Sequence, residues 1–431
     1  MAQEHDLEPT SPRVLDEPGQ EERALVFAFR DTEAVRAAAK SFSGDDTAAR
    51  GVDRVRAYAA RMGAPLEPLF ARESEFLQGE KWKLALPKSG SQDGDLALIY
   101  HLRVASHGDQ VALERDLRSD PRVGYVHRPA IFHPLLAPRI VDVKAGHQWA
   151  LDKCGFGKEV WDRLEKGQDP GPIGIIDAGG EISHPELDGI IDGPKPTDAE
   201  DAPSSHAMEV AGVIAAIRGN GDEQGKGMAG CCSARVRIYN AWTTKGFDSK
   251  RFYRALEAVA AARLPVLNLS IGSRTSDATT DQLIRKCIER GVVVVAAMGD
   301  FAKHGSPPLF PAAHCGVIAV GGTSRSDRKT RISSTGCHIW ISAPGEDILT
   351  LSGDDGLVEA DGTSYATAMV TAAVWLARRA KPGLGPAEIR ELLAKSVDGK
   401  SVPNGGHSAE LGFGRLDMAR LADLVAPVCG S

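Results

Sequence analysis

The sequence predicts an α/β chain, a doubly wound parallel sheet preceded by a small α+β domain, and three observations carry that expectation. Beyond residue 147, short and nearly continuous apolar segments alternate with helical ones, the pattern of strands buried on both faces of a parallel sheet. Before residue 135 the order is strand, helix, strand, helix, strand, with alternating hydrophobicity. Between the two lies the Pro-punctuated stretch HPLLAPRIVDVKAGH, 133–147, which reads as a connector.

A chain of 431 residues suits two domains better than one. With 42% hydrophobic and 25% charged residues and no low-complexity tract, it has the composition of a globular protein. A net charge of −7 provides no basic field for phosphate backbones, so nucleic acid is excluded as a partner. No apolar run approaches the ~20 residues of a membrane-spanning helix. The start, MAQEHDLEPTSPRVLDEPGQ, lacks a basic region followed by an apolar core, which predicts a cytoplasmic address. Seven cysteines in no framework spacing, without a C-x-x-C, argue against disulfides and zinc and for buried small apolar side chains.

Residues 1–20 are polar and Pro-containing and are expected to be disordered. In 21–135, ALVFAFR (24–30), LALIYHLRV (96–104) and VGYVHRPAIF (123–132) read as extended segments, the last broken by Pro129. VDRVRAYAARM (52–62) and QVALERDLRSD (110–120) have helical spacing, and 84–95 reads as a loop. That order fits a ferredoxin-like α+β domain. After a connector at 136–147, a second domain is expected over 148–431. Its strands are IGIID (173–177), VRIYNAW (236–242), VLNLS (266–270), VVVVAAM (292–298), VIAVGG (317–322) and IWISAPG (339–345). Its helices are expected near 207–217, 249–262, 278–290, 364–380 and 386–396. Ligands of such sheets bind at the carboxyl ends of the strands, which is where the polar motifs fall.

Asp177 closes the apolar strand IGIID, where an ionised carboxylate is costly unless a partner awaits it. His206 opens a small-residue helix in SSHAMEVAGVIAA, in which Ala211 and Gly212 allow close approach to the sheet. Ser364 opens a second apolar helix in DGTSYATAMVTAAVWLARR, with its N–H at the positive helix end. Each alone is as compatible with a cap, a turn or a packing residue. Their chain order, acid, imidazole, hydroxyl, is one of the arrangements that build a nucleophilic triad.

The surrounding motifs resemble those of the subtilase family over about 145–425. IIDAGGEISHPELDG is similar to its aspartate motif, SHAMEVAGVIAA to its histidine motif, and DGTSYATAMV to its nucleophile motif. GMAGCCSARVRIYNAW, VLNLSIGS, FPAAHCGVIAVGG, SAPGEDILTLSG and GFGRLDMARLADL follow in the family's order. The resemblance implies a subtilisin-like fold and a serine endopeptidase acting on peptide or protein substrates, with Asp177, His206 and Ser364 as its triad and no required cofactor. It implies that Ser270, Ile271 and Gly272 form the edge on which substrate lies as an added strand. It also implies that 21–135 is a prodomain that inhibits its own catalytic domain. VGYVHRPAIFHPL would be its last strand, with a cut between Leu135 and Leu136 and with Leu135 at P1 and Phe132 at P4. A stable accessory domain that is never removed is the alternative.

The chain also departs from the family. Asp300, in AAMGD, stands where the family has its oxyanion Asn, and an ionised carboxylate has no proton to donate. Three readings follow. Asp300 donates as a neutral acid; or Ser364 N–H and another donor suffice, as in a branch of the family's proprotein convertases that carries Asp here and remains active; or the chain is an inactive binding scaffold. The second is preferred at this stage, because an intact triad is hard to explain in a dead scaffold. Ala207-Met208-Glu209 replaces Gly-Thr-His after the histidine, and Tyr365 and Ala368 replace Met and Pro after the serine. Glu186 falls where some members carry a calcium-binding Asp, a weak calcium candidate on ligand count.

Overall fold

A computed structural model describes residues 23–29, 50–63, 67–69, 99–120, 122–134, 148–179, 182–193, 204–220, 227–353, 355–402 and 406–426. The segments expected to be disordered (1–20), looped (84–95) and connecting (136–147) lie outside these residues, as do Leu135 and Leu136. The chain divides into two units, the smaller comprising 21–131 and 277–282 and the larger 132–276 and 283–431.

In the smaller unit, four strands pair antiparallel in the order β2-β3-β1-β4: β1 (Ala24–Phe29), β2 (Glu67–Pro68), β3 (Ile99–Arg103) and β4 (Val123–His127). Two helices complete it, α1 (Arg50–Met62) after β1 and α2 (His107–Arg118) after β3. The alternation in ALVFAF sends Leu25 and Phe27 to one face, where they join Tyr100 and Leu102. Val52 and Val55 of α1 and Leu113 and Leu117 of α2 close this core. Ser106 caps α2 by accepting the Asp109 N–H at 3.1 Å.

Twelve strands follow: β5 (His133–Pro134), β6 (Ile173–Asp177), β7 (Val236–Asn240), β8 (Trp242–Thr243), β9 (Gly246–Phe247), β10 (Val266–Leu269), β11 (Ile271–Gly272), β12 (Val293–Ala297), β13 (Ile318–Thr323), β14 (Ile339–Pro344), β15 (Ile348–Ser352) and β16 (Gly356–Ala360). The helices are α3 (Trp149–Cys154), α4 (Lys158–Leu164), α5 (His206–Ala215), α6 (Ser249–Ala262), α7 (Ala278–Glu289), α8 (Thr363–Ala380), α9 (Pro386–Lys395) and α10 (Met418–Val425). Six strands form one parallel sheet in the order β14-β13-β12-β10-β6-β7. From β6 the chain steps to β7 on one side and then to β10, β12, β13 and β14 on the other. The order therefore reverses between β6 and β10, the place where sheets of this kind open a crevice.

Continuous apolarity has the expected cause. Every residue of β6, β10, β12 and β13 is buried. Helix α8 is buried from Thr363 to Ala377, and its run of Ala, Thr and Val lets its backbone lie close to β10, β12, β13 and β14. The adjacent Cys231 and Cys232 are buried free thiols, as are Cys154 and Cys287, while Cys315 and Cys337 are free and exposed. Among the described residues no helix is long and apolar enough to cross a membrane.

Three local expectations need correction. VRIYNAW is not one strand: Asn240 Oδ1 accepts the Trp242 N–H at 2.9 Å, which turns the chain at Ala241 and separates β7 from the β8–β9 hairpin. The β15–β16 hairpin and the short helices α3 and α4 were not expected. Two-turn helices leave too little periodicity to read, and the hairpin packs against α5, which lies far from it in the chain. Finally, the close approach that Gly212 permits is to Leu351 of β15 and not to the parallel sheet, since a Cβ on Gly212 would lie 2.5 Å from Leu351 Cγ. Gly212→Ala is therefore expected to destabilise the fold by about 1–3 kcal/mol through overpacking. The check is urea unfolding: the midpoint should fall at constant slope, and an unmoved midpoint would contradict this packing.

Candidate active site

Asp177 ends β6 and His206 begins α5, and the fold brings them together with both side chains fully shielded from solvent. His206 Nδ1 lies 2.6 Å from Asp177 Oδ1. An ionised carboxylate only accepts, so Nδ1 carries the proton and Nε2 presents its lone pair. The Ala178 N–H also donates to Oδ1, at 2.6 Å. His206 Nε2 is buried and has no hydrogen-bond partner among the described residues. A buried ring nitrogen left unmatched is costly, and such exceptions concentrate at working sites.

The electrostatics of this pair follow from its neighbours. Burial alone would push the His206 imidazole down. The Asp177 carboxylate, the bond to it, and the more distant Glu209 and Asp300 outweigh burial, so His206 is held above its ordinary value.

Ser364 is the second residue of α8, and a chain of buried bonds fixes its backbone. Thr371 Oγ1 donates to Asn268 Oδ1 at 2.9 Å, Asn268 Nδ2 donates to Ser270 Oγ at 2.9 Å, and Ser270 Oγ donates to the Ser364 carbonyl at 3.1 Å. The Ser364 hydroxyl points back at the Ser270 carbonyl over a long 3.4 Å. Ser270 thus anchors Ser364 with its side chain. Its neighbours Ile271 and Gly272 form β11, which pairs antiparallel with β5 in the register Ile271↔Pro134 and Gly272↔His133. Phe132, next to this pairing, is buried with its ring 4.6 Å from that of Phe252 and 5.4 Å from that of Phe247. Trp242 closes the same aromatic group, 5.0 Å from Phe247. These aromatic partners went unread in the sequence, although NAWTTKGFDSKRFY gathers all three within eleven residues.

Asp300 follows β12 at the N-terminus of α8. Its Oδ1 accepts the Thr363 N–H at 3.0 Å, Thr363 Oγ1 accepts the Gly299 N–H at 3.1 Å, and Asp300 Oδ2 is buried without a hydrogen-bond partner among the described residues. A helix N-terminus favours an anion by about 0.3–1 kcal/mol. Burial acts the other way and is larger: it pushes the Asp300 carboxyl from an ordinary 3.8 up to about 7, against the lowering effect of the Thr363 bonds. A rise of that size corresponds to roughly 4 kcal/mol against the charged form. Burial therefore wins, and near neutral pH a large share of Asp300 carries a proton.

Glu209 and Tyr365 meet here too. The Tyr365 hydroxyl donates to Glu209 Oε2 at 2.6 Å, and Ser205 Oγ donates to Oε1 at 2.5 Å. Glu186 sits in a short 3₁₀ turn, Pro185–Leu187, where its Oε2 accepts from Asn220 Nδ2 at 3.1 Å. Among the described residues no three His, Cys, Asp or Glu side chains are grouped as metal ligands, so Glu186 gains no calcium partners of that kind.

Comparison with known proteins points one way. The family described as Peptidase S8, subtilase family, matches residues 172–414. The thermophilic serine proteinase of Bacillus sp. strain AK1 is 29% identical over 298 residues, spanning 68% of this chain and 71% of that protein. Subtilisin E of Bacillus subtilis strain 168 is 27% identical over 289 residues, spanning 66% of this chain and 72% of its own length. Among solved structures, fervidolysin from Fervidobacterium pennivorans, a keratinolytic enzyme related to subtilisin, shares the fold at a TM-score of 0.71 and 18% identity. That match covers 96% of this chain and 63% of fervidolysin.

Proposed function

The chain belongs to the subtilase family of serine proteases, and from that premise we propose that it hydrolyses peptide bonds through an acyl-enzyme formed on Ser364. The observation that supports this most is the buried His206, with Nδ1 held on Asp177 and Nε2 unmatched. An extended peptide pairs with Ile271–Gly272 in the way β5 does, using main-chain hydrogen bonds. The Ser364 hydroxyl turns from the Ser270 carbonyl toward Nε2. Its oxygen bonds to the scissile carbon as its proton passes to His206, and Asp177 stabilises the imidazolium. Collapse breaks the C–N bond, and the same proton leaves with the amine. Water then repeats the sequence on the acyl-enzyme.

The oxyanion is held by the N–H of Ser364, in the first turn of α8, and by neutral Asp300 donating through Oδ2. This favours the neutral-acid reading over the one in which Asp300 contributes nothing. A pKa of about 7 and a buried Oδ2 with no hydrogen-bond partner among the described residues support it. A lost donor of this kind costs about 10²–10³ in turnover, so ionisation of Asp300 slows the enzyme instead of abolishing its activity.

The smaller unit acts as a ferredoxin-like prodomain, a reading supported by its β-α-β-β-α-β order and its β2-β3-β1-β4 sheet. His133–Pro134 follows it in the chain and pairs with Ile271–Gly272, which supports reading this segment as an inhibitory tail on the substrate edge. Processing near Leu135 and Leu136 would release it.

Labelling with a fluorophosphonate tests the enzyme reading. The full chain should label on Ser364 and hydrolyse peptides, and Ser364→Ala should lose roughly 10⁴-fold or more of the rate and retain residues 1–135. An unlabelled wild type would leave the binding-scaffold reading standing, and a wild type still uncut would sink self-processing. A pH series tests Asp300: kcat should fall as pH rises through about 7. Asp300→Asn, a donor at every pH, should lose that descending limb and exceed wild type by about 10–100-fold at pH 9. A wild-type rate that stays flat to pH 9, or an Asp300→Asn no faster there, contradicts the role.

A further inference from the structure

Glu209 and Tyr365 are both departures from the family's motifs, and they are bonded to each other at 2.6 Å. Glu209 lies three residues after His206, one turn along α5, and Tyr365 directly follows Ser364 on α8. The bond therefore spans the two helices at the level of the two proposed reacting groups. Tyr365 is wholly buried, and its phenol has to find an acceptor inside the protein. Glu209 is secured on its other sides: Ser205 Oγ donates to Oε1, and Thr350 Oγ1 of β15 donates to the Glu209 carbonyl at 2.6 Å. A phenol on a carboxylate is a charge-assisted bond, shorter and stronger than a neutral one.

His206 Nε2 has no hydrogen-bond partner among the described residues, so no direct bond from it sets its distance to the Ser364 hydroxyl. That distance is inherited from the helices that carry them. We propose that the Glu209–Tyr365 bond is a positioning couple that holds the first turns of α5 and α8 in the register at which His206 Nε2 can receive the Ser364 proton. The proposal rests on the triad reading given above. A misplacement of about 1 Å in such a pair costs on the order of 10²-fold in rate.

Glu209 has a second effect that separates this role from mere packing. Among the described residues the charged groups acting on His206 are Asp177 from β6, Asp300 from the end of β12 and Glu209 on its own helix, and Tyr365 of α8 is bonded to Glu209. Removing the Glu209 charge lowers the pH at which His206 loses its proton, so the acid limb of the rate profile moves down.

The test uses the full chain, a peptide substrate and the fluorophosphonate, with Tyr365→Phe, Glu209→Gln and the double variant, each checked for folding by thermal unfolding. Tyr365→Phe keeps the ring and loses the bond. It should lower kcat and the labelling rate by about 10–100-fold while KM stays within about twofold. Glu209→Gln still accepts from the phenol. It should lose less than Tyr365→Phe and move the acid limb to lower pH, and the double variant should be no slower than Tyr365→Phe alone. A folded Tyr365→Phe with wild-type kcat overturns the couple, as do single effects that multiply in the double variant. Should Tyr365→Phe fail to fold, an unmoved acid limb in Glu209→Gln overturns it. Wild type that does not label on Ser364 overturns the triad reading and the couple together, whereas labelling at one rate in wild type and Tyr365→Phe overturns the couple alone.

Discussion

The site depends on a single contact, a carboxylate and an imidazole 2.6 Å apart where neither reaches solvent. In water such a pair is worth little, and its geometry would be one of many. Out of water the bond fixes the tautomer, because an ionised Asp177 can only accept and Nδ1 must donate. Every other feature of the proposed chemistry follows from that assignment. Nε2 becomes the base, the hydroxyl it serves has to come from α8, and charge that develops on the ring is met by a fixed anion instead of by reorganising solvent.

The parallel sheet supplies the placement. Asp177 leaves β6 and Ser270 leaves β10 at the point where strand order reverses, so the crevice opens between two adjacent strand ends. Helix α8 can bring Ser364 to that crevice because its small side chains let it lie across four strands. The Thr371–Asn268–Ser270 chain then ties its first turn to β10 with fully buried polar groups. Such a network is favourable only when each member is matched, and here each is. Of the nine buried side-chain atoms without a hydrogen-bond partner among the described residues, three belong to the site: His206 Nε2, Asp177 Oδ2 and Asp300 Oδ2.

Much of this was legible in the residues. IGIID, VVVVAAM and VIAVGG could only be strands buried on both faces, and the six strands of the sheet lie within a residue or two of where apolarity placed them, apart from the turn after Asn240. Asp177 was readable as an anomaly, a charge closing a buried strand. What stayed hidden were events between distant residues. Tyr365 and Glu209 each looked like a loss relative to the family, and nothing in a linear chain says that positions 156 apart will share one hydrogen bond. Asp300 left three readings open in the sequence, a neutral donor among them. Its protonation depends on burial, a property of the folded site and not of the residue type. The β15–β16 hairpin was missed for a related reason: it packs against α5, a partner distant in the chain.

The most direct measurement is nitrogen NMR of the His206 ring across pH in the folded chain. The account predicts a proton on Nδ1 in the neutral form and a midpoint above the ordinary 6.5, falling when Asp177 is replaced by Asn. A proton on Nε2, or a midpoint at or below 6.5 that Asp177→Asn leaves in place, would contradict it.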